Sequence, residues 1–417
     1  MPNNPDSTNE MKMRQQTLMK NLAKASLEQL EKKRSHSDQY SNWSEAIVNK
    51  GPEYEELACD LRKTALPAKL ITYYLPQFYP FKENNEWWGE GFTEWRNSTS
   101  ARARYDGHHQ PHLPLDLGYY DLRVIDTMRK QAELAQKAGI HAWCFYHYNF
   151  GDKRLMEVPV NNFLDNPDIN MPFCLMWANE NWARTWDGKK NDILIKQDYD
   201  PCHDEKMIDD LARHFSDPRY LKINGKPLYY IYCPSLIPEA KKRIEQWRNL
   251  LVKRHNIEAT FQMALTYDDT DPKPYGLDGA IEFPPHNSFK KLPSANDTVK
   301  NLDPNFSGQI RRYDHLIQYC LREQNIDFDL VKCVLPNWDN EARRTNRGYG
   351  LIGTGPSKYQ VWLSEAIRFA IENPVQGESM VAINAWNEWA EGAYLEPDVH
   401  YGSAFLNATA RALSEHL

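Results

Sequence analysis

Long apolar runs are missing from this 417-residue chain. Nowhere do about eighteen apolar residues follow one another, and the first thirty residues hold no apolar stretch behind a basic start. Neither a membrane span nor a secretory leader is expected, and the expected compartment is cytoplasmic. A basic surplus is missing too: 50 Lys and Arg stand against 57 Asp and Glu, a net charge of -7, which argues against a nucleic-acid partner. Cysteine is sparse. Its seven residues, at 59, 144, 174, 202, 233, 320 and 333, are odd in number and widely spread, unlike a disulfide framework or a zinc cluster. No G-x-G-x-x-G or Walker loop follows the first strand and no G-x-S-x-G occurs, so the usual marks of a dinucleotide-binding sheet and of a serine hydrolase are absent.

Aromatics are plentiful: 13 Trp, 23 Tyr and 15 Phe, many beside Asn, Asp, Glu and His. That mixture suits sugar recognition, where flat C–H faces pack on rings while hydroxyls need polar partners. From Ala68 onward, short β-rich runs alternate with amphipathic helical stretches, the order of a parallel sheet covered by helices. Strands are expected at Leu70–Leu75, His141–Tyr148, Pro172–Trp177, Pro227–Cys233, Thr260–Leu265, Gly279–Phe283, Leu330–Leu335 and Met380–Trp386. Helices are expected at Leu122–Ala138, His203–Phe215, Glu239–His255, Arg311–Glu323, Lys358–Ile371 and Ser403–His416. Eight strands in this order predict an α/β fold, a (β/α)8 TIM barrel spanning residues 67–417, with residues 1–66 as a helical N-terminal extension. In that extension Leu18, Leu22, Leu27 and Leu30 recur at roughly helical spacing. Between Lys12 and Arg34 seven basic residues face two acidic ones, Glu28 and Glu31. Such a helix can rest on a membrane surface or a partner, or simply pack on the barrel.

A barrel carries its active face where the strands end, and polar and aromatic residues crowd there. The expected sugar-gripping set is Tyr74, Gln77, Trp87, Trp88, Glu94 and Trp95 after the first strand, His112, then Tyr146, His147 and Asn149 after the second. It continues with Trp177, Asn179, Glu180, Trp182, Arg184, Trp186 and Asp187 after the third, Glu282 after the sixth, Trp338 after the seventh, and Trp386, Asn387 and Trp389 after the eighth. The sharpest motif is AINAWNEWAEGAYLEPD, 382–398. Strand alternation carried through Trp386 points Glu388 into the mouth, and Glu391 joins it only if the chain turns after Trp389, for which Gly392 is suited. Two carboxylates brought together can divide acid and base work. Glu391 could instead cap a helix or pair with a surface arginine. Asn179 and Glu180 form a second Asn-Glu pair, which makes Glu180 with Glu388 a competing pair for a retaining glycosidase.

The histidines His108, His109 and His112 lie in a proline-flanked loop and read as a rim segment rather than ligands. D-x-D, a pattern for holding a metal on a diphosphate, occurs at Asp269-Asp271, Asp198-Asp200 and Asp327-Asp329, which shows how cheap it is in an acidic chain. No metal and no cofactor are expected.

The blocks YYLPQFYPFKENNEWWGEGFTEW, GHHQPHLPLDLGYYDLR, WANENWARTWDG, IEFPPH and NAWNEWAEGAYLEPD resemble those of the WbsX-type proteins of bacterial polysaccharide gene clusters, a group related to glycoside hydrolase family ninety-nine. The resemblance runs from about Lys69 to Leu417. It implies a (β/α)8 barrel and metal-free, retaining action on an oligosaccharide or polysaccharide; the hydrolase relatives are endo-acting on α-mannosides. Their N-E-W-x-E-G block is matched by Asn387, Glu388, Trp389, Glu391 and Gly392. Carried over, Glu388 is the base that takes the proton of the sugar's 2-hydroxyl to form a 1,2-anhydro sugar, and Glu391 is the acid/base. Position 390 is Ala where the hydrolases often have His, so the resemblance leaves the substrate contacts beside the acid, and with them mannose specificity, open. WbsX-type members are often labelled glycosyltransferases, which keeps open a transferase reading and, beside it, a non-catalytic carbohydrate-binding one.

Overall fold

The computed structural model describes residues 5–36, 48–183, 193–322 and 326–417. Eight parallel strands close on themselves: β1 (Lys69–Tyr74), β2 (Ile140–Asn149), β3 (Phe173–Trp177), β4 (Lys226–Ile231), β5 (Thr260–Leu265), β6 (Gly279–Glu282), β7 (Leu330–Val334) and β8 (Met380–Ile383). Each strand pairs with its neighbours in sequence, and β1 pairs with both β8 and β2, so the sheet has no free edge. This is the expected (β/α)8 barrel.

Ten helices are used below: α1 (Pro5–His36), α2 (Lys82–Trp88), α3 (Glu94–Ser100), α4 (Ile125–Lys137), α5 (Glu157–Asp165), α6 (Asp204–Phe215), α7 (Ala240–His255), α8 (Tyr313–Cys320), α9 (Pro356–Glu372) and α10 (Ala404–Ser414). The long ones carry one apolar stripe each. In α4 Met128, Gln131, Ala132 and Ala135 are buried, and in α9 Tyr359, Trp362, Leu363, Ala366, Ile367 and Ala370, the i, i+3, i+4 spacing of a helix laid on a sheet. Three helices have no counterpart in the sequence reading. α2 and α3 have seven residues each, and α5 has nine with Pro159 in its first turn, too short for a period to emerge.

In the extension residues 5–36 form one helix while the described residues 48–66 are non-helical, and the buried face of the helix is not the leucine row. Leu18, Leu22, Ala25 and Gln29 turn inward, whereas Leu27 is 61% and Leu30 55% exposed. Leu18 and Leu22 join the main core, and Gln29 donates to Glu53 and to the carbonyl of Thr354. Of the basic residues, Arg14 pairs with Glu372 at the end of α9; the side chains of Lys33 and Arg34 lie outside the described residues. No helix among the described residues is long and apolar enough to cross a membrane.

Strand alternation decides which strand residues can reach the mouth. On β1, Tyr73 points into the barrel, its ring stacked on Phe283 at 4.8 Å and its hydroxyl donating to the Glu282 carbonyl. Tyr74 points out, donating to Gln131 of α4. On β2, Tyr146 and Tyr148 face inward, while Trp143 and Phe145 pack on Phe163 of α5. The barrel mouth is therefore built from every second residue.

Candidate functional site

β8 ends at Ile383, three residues earlier than expected, so Glu388 is not placed by simple continuation of the strand. The Asn384–Ala385 peptide is cis, and the chain then makes a small hairpin in which Asn387–Glu388 pairs antiparallel with Ala393–Tyr394. Between them Trp389–Glu391 forms one 3-10 turn, closed by Gly392 at φ 65°. That left-handed position suits glycine, and a Cβ there would lie 3.0 Å from the Asp339 nitrogen. The turn required for Glu388 and Glu391 to face one space is present.

The hairpin is held from several sides. The Asn387 side chain accepts from the Leu75 N–H at 2.8 Å and donates to the Leu75 carbonyl at 3.0 Å. Trp389 stacks on Tyr394 with centroids 3.9 Å apart and donates to Glu396 at 2.6 Å. Burial pushes the Glu396 carboxyl up to about 7, although Trp389, Gln131 and Tyr120 all donate to it. Asp339, from the loop after β7, donates its backbone N–H to the Glu391 carbonyl, and its carboxylate faces His108 at 2.6 Å and accepts from Gln110 at 2.7 Å.

Above this floor lies a cavity of about 840 Å³. Gln77, Trp88, Tyr146, Glu180, Trp182, Trp338, Glu388 and Glu391 of the expected set line it, and Tyr148, which was not in that set, lines it as well. So do residues not singled out in the sequence, among them Tyr232, Tyr267, Phe283, His286, Lys290, Arg343, Arg344 and Tyr349. A volume in this range accommodates several sugar rings. Alternation from Tyr146 could have found Tyr148. No pattern marks Arg343, which is one charged residue in NWDNEARR until the fold brings it to the acids.

Arg343 organises the site. Its Nε donates to Glu94 at 2.6 Å, its Nη2 to Glu388 at 2.9 Å, and its Nη1 lies 2.5 Å from Glu391. Both acids thus sit on adjacent nitrogens of one guanidinium. The arginine that pairs with Glu391 is buried in the cavity, not on the surface. Burial works against the charge on Arg343, and Glu94, Glu391 and Glu388 outweigh it. Burial pushes the Glu388 carboxyl up, Arg343 pulls it down, and Glu391 and Glu94 push it up again, leaving it at about 8. Glu180 is raised to about 7 by burial, and among the described residues it forms no ion pair. His286 is pulled down to about 4 by burial and is neutral at pH 7.

Several expected contacts fall elsewhere. Tyr74, His147, Trp177 and Glu282 lie on the outer faces of their strands. His147 meets Tyr229 and Asp210 of α6, Trp177 packs on Trp247 of α7, and Glu282 is paired with Lys332. Asn149 and Trp177 line a separate, much smaller crevice. Trp95, Trp386 and Trp389 are core rings, and Glu94 reaches the acids only through Arg343. Trp87 packs edge-on against Trp182. Asn179 and Asn387 spend their amides on backbone, Asn179 on both the N–H and the carbonyl of Cys233. His112 is buried against His109 and Tyr394. Arg184, Trp186 and Asp187 lie outside the described residues. Of the D-x-D sites, Asp269 accepts from Ser235 and Tyr275 and so offers no free carboxylate pair with Asp271. No cluster of three or more candidate metal ligands occurs among the described residues.

Two proteins called Uncharacterized protein WxcX, from two strains of Xanthomonas campestris pv. campestris, are 42% identical to this chain over 349 residues, covering 84% of it. They share 50% of their own length, so the chain spans about half the length of these relatives. Among solved structures, the GH99 endo-alpha-mannosidase of Bacteroides thetaiotaomicron bound to bis-tris-propane is similar with TM-score 0.52 and 17% identity, covering 84% of this chain and 98% of its own. A "Glycoside hydrolase-like protein" gives 0.51 and 15%, covering 86% and 97%. These structures share the barrel fold with it. The family model described as Glycosyltransferase WbsX matches residues 70–409, and by that match and the 42% identity this chain belongs to the WbsX family.

Proposed function

We propose that this protein is a carbohydrate-active enzyme that cleaves or transfers a glycosyl unit with retention in the cavity above β8. The observation that carries the reading is the pair Glu388 and Glu391 held side by side on Arg343 within an aromatic-lined hollow. The fold alone would not suffice, since barrels host many chemistries.

In this reading Glu388 takes the proton of the sugar's 2-hydroxyl while O2 attacks C1. The bond from C1 to the leaving oxygen breaks, and that oxygen takes a proton from Glu391. A 1,2-anhydro sugar results. Glu391 then removes a proton from water or an acceptor hydroxyl, which opens the ring at C1, and O2 recovers its proton from Glu388. With its carboxyl raised to about 8, Glu388 is mainly protonated at neutral pH and acts as the base in its ionised fraction, which grows as pH rises. Arg343 lowers the cost of placing charge on the two buried acids. Trp88 and Trp182 line the cavity as aromatic surface of the kind on which sugar rings stack.

A second reading uses Glu180 as proton donor, favoured by its place in the same cavity and its raised carboxyl. The test is release or transfer of sugar from bacterial polysaccharides and α-mannosides. Glu391→Gln should lower turnover by at least ~100-fold with binding retained, and Glu180→Gln should act mainly on binding. Full activity in Glu391→Gln overturns the assignment. If Glu180→Gln is instead the dead variant, the second reading replaces it.

A further inference from the structure

The cavity is electrically lopsided. Its acids are Glu388 and Glu391, both already served by Arg343, and Glu180 on another part of the lining. The wall formed by the loops after β6 and β7 carries two more cations, Lys290 and Arg344. Among the described residues neither has a carboxylate partner, whereas nearby cations do have other engagements. Arg311 donates to the carbonyls of Phe289 and Ile310, and Lys291 turns away over Tyr319.

Arg344 is also pre-set. Its guanidinium lies over the Tyr349 ring at 5.0 Å, and that ring stacks on Phe289 at 5.3 Å, next to Lys290 in the chain. A guanidinium held over an aromatic ring is partly positioned before an oxyanion docks on its N–H groups. Lys290 is exposed and Arg344 half-buried, so both charges are open to an anion that enters the cavity.

The geometry points to a substrate that carries an oxyanion, a carboxylate or a phosphate ester, on the glycosyl unit that sits against Arg344 and Lys290. This rests on the cavity being a saccharide site and names the class of saccharide. Neutral sugars can pack on Trp88 and Trp182 but leave Arg344 and Lys290 without a charged partner.

The experiment is calorimetric titration of the full chain with two matched pairs: tetragalacturonate against its carboxyl-reduced neutral form, and α-mannotetraose against its 6-phosphomonoester. The expected result is at least tenfold tighter binding of one acidic member. That preference should shrink between 0.05 and 0.5 M salt and vanish in the Arg344→Gln, Lys290→Gln double variant. Carboxylate and phosphate are told apart by which pair shows it. Neutral and acidic members binding alike overturns the inference and leaves the cavity a saccharide site, as does a preference that survives in the double variant. Binding of none of the four overturns both.

Discussion

The backbone N–H of Asp339 donates to the carbonyl of Glu391 over 2.6 Å, fastening the loop after β7 to the turn that carries the second acid. The same loop supplies Arg343, so the cation and the carboxylates it bridges are positioned by one connection.

Gly392 makes that contact reachable. Gly392→Ala should strain a left-handed position and push a methyl carbon against the Asp339 backbone. A loss of about 1–2 kcal/mol is expected from the backbone alone. Thermal melting and turnover check it: both should fall, turnover by more than the melting shift explains.

Asn387 grips Leu75 through both ends of its amide. Asn387→Ala leaves a buried N–H and a buried C=O without this partner and should destabilise by about 1–3 kcal/mol. A denaturant titration measures this. Unchanged stability with weakened sugar binding would return Asn387 to the role of a substrate contact.

Arg343 pulls the Glu388 carboxyl down. In Arg343→Met that pull is gone, the carboxyl rises further, and the base is ionised only at higher pH. The acidic limb of the kcat/KM profile should move up by about 1–3 units. A limb that stays put or moves down contradicts Glu388 as the base.

Ligand-free stability should fall as pH rises from about 6.5 to 8. Glu388 at about 8, and Glu180 and Glu396 at about 7, hold protons in the folded protein that the unfolded chain has already lost, so their contribution is full at low pH and disappears through the folded values. Buried His112, His214 and His286, lowered to about 4, oppose this at acid pH but add no slope above the ordinary histidine value of 6.5. Melting temperature across this window checks it, and Glu388→Gln should flatten the decline. A rise with pH in the wild type contradicts the assignment.

The eight strands were legible because each is a short β-rich run bounded by helical periodicity, and β5 matches its expected limits to the residue. The turn after Trp389 was legible because period-two alternation cannot bring positions 388 and 391 to one face without it. The expected contacts Tyr74, His147, Trp177 and Glu282 share one cause of misplacement. Each is a polar or aromatic residue near a strand end, but alternation sends it outward to a helix or an ion pair.

The order of apolar runs by itself determined a parallel sheet covered by helices, and the count of eight strands with no dinucleotide-binding loop after the first pointed to a closed barrel over an open sheet. The motif by itself determined that two acids and a turn lie together in the chain. Only the tertiary structure decided that Arg343 stands between them, that Leu18 and Leu22 rather than Leu27 and Leu30 dock α1, and that Lys290 and Arg344 face a common hollow. Those contacts join residues far apart in the chain. Their pairing is set by how loops close over the barrel and by which charges burial forces together, and no local period encodes either.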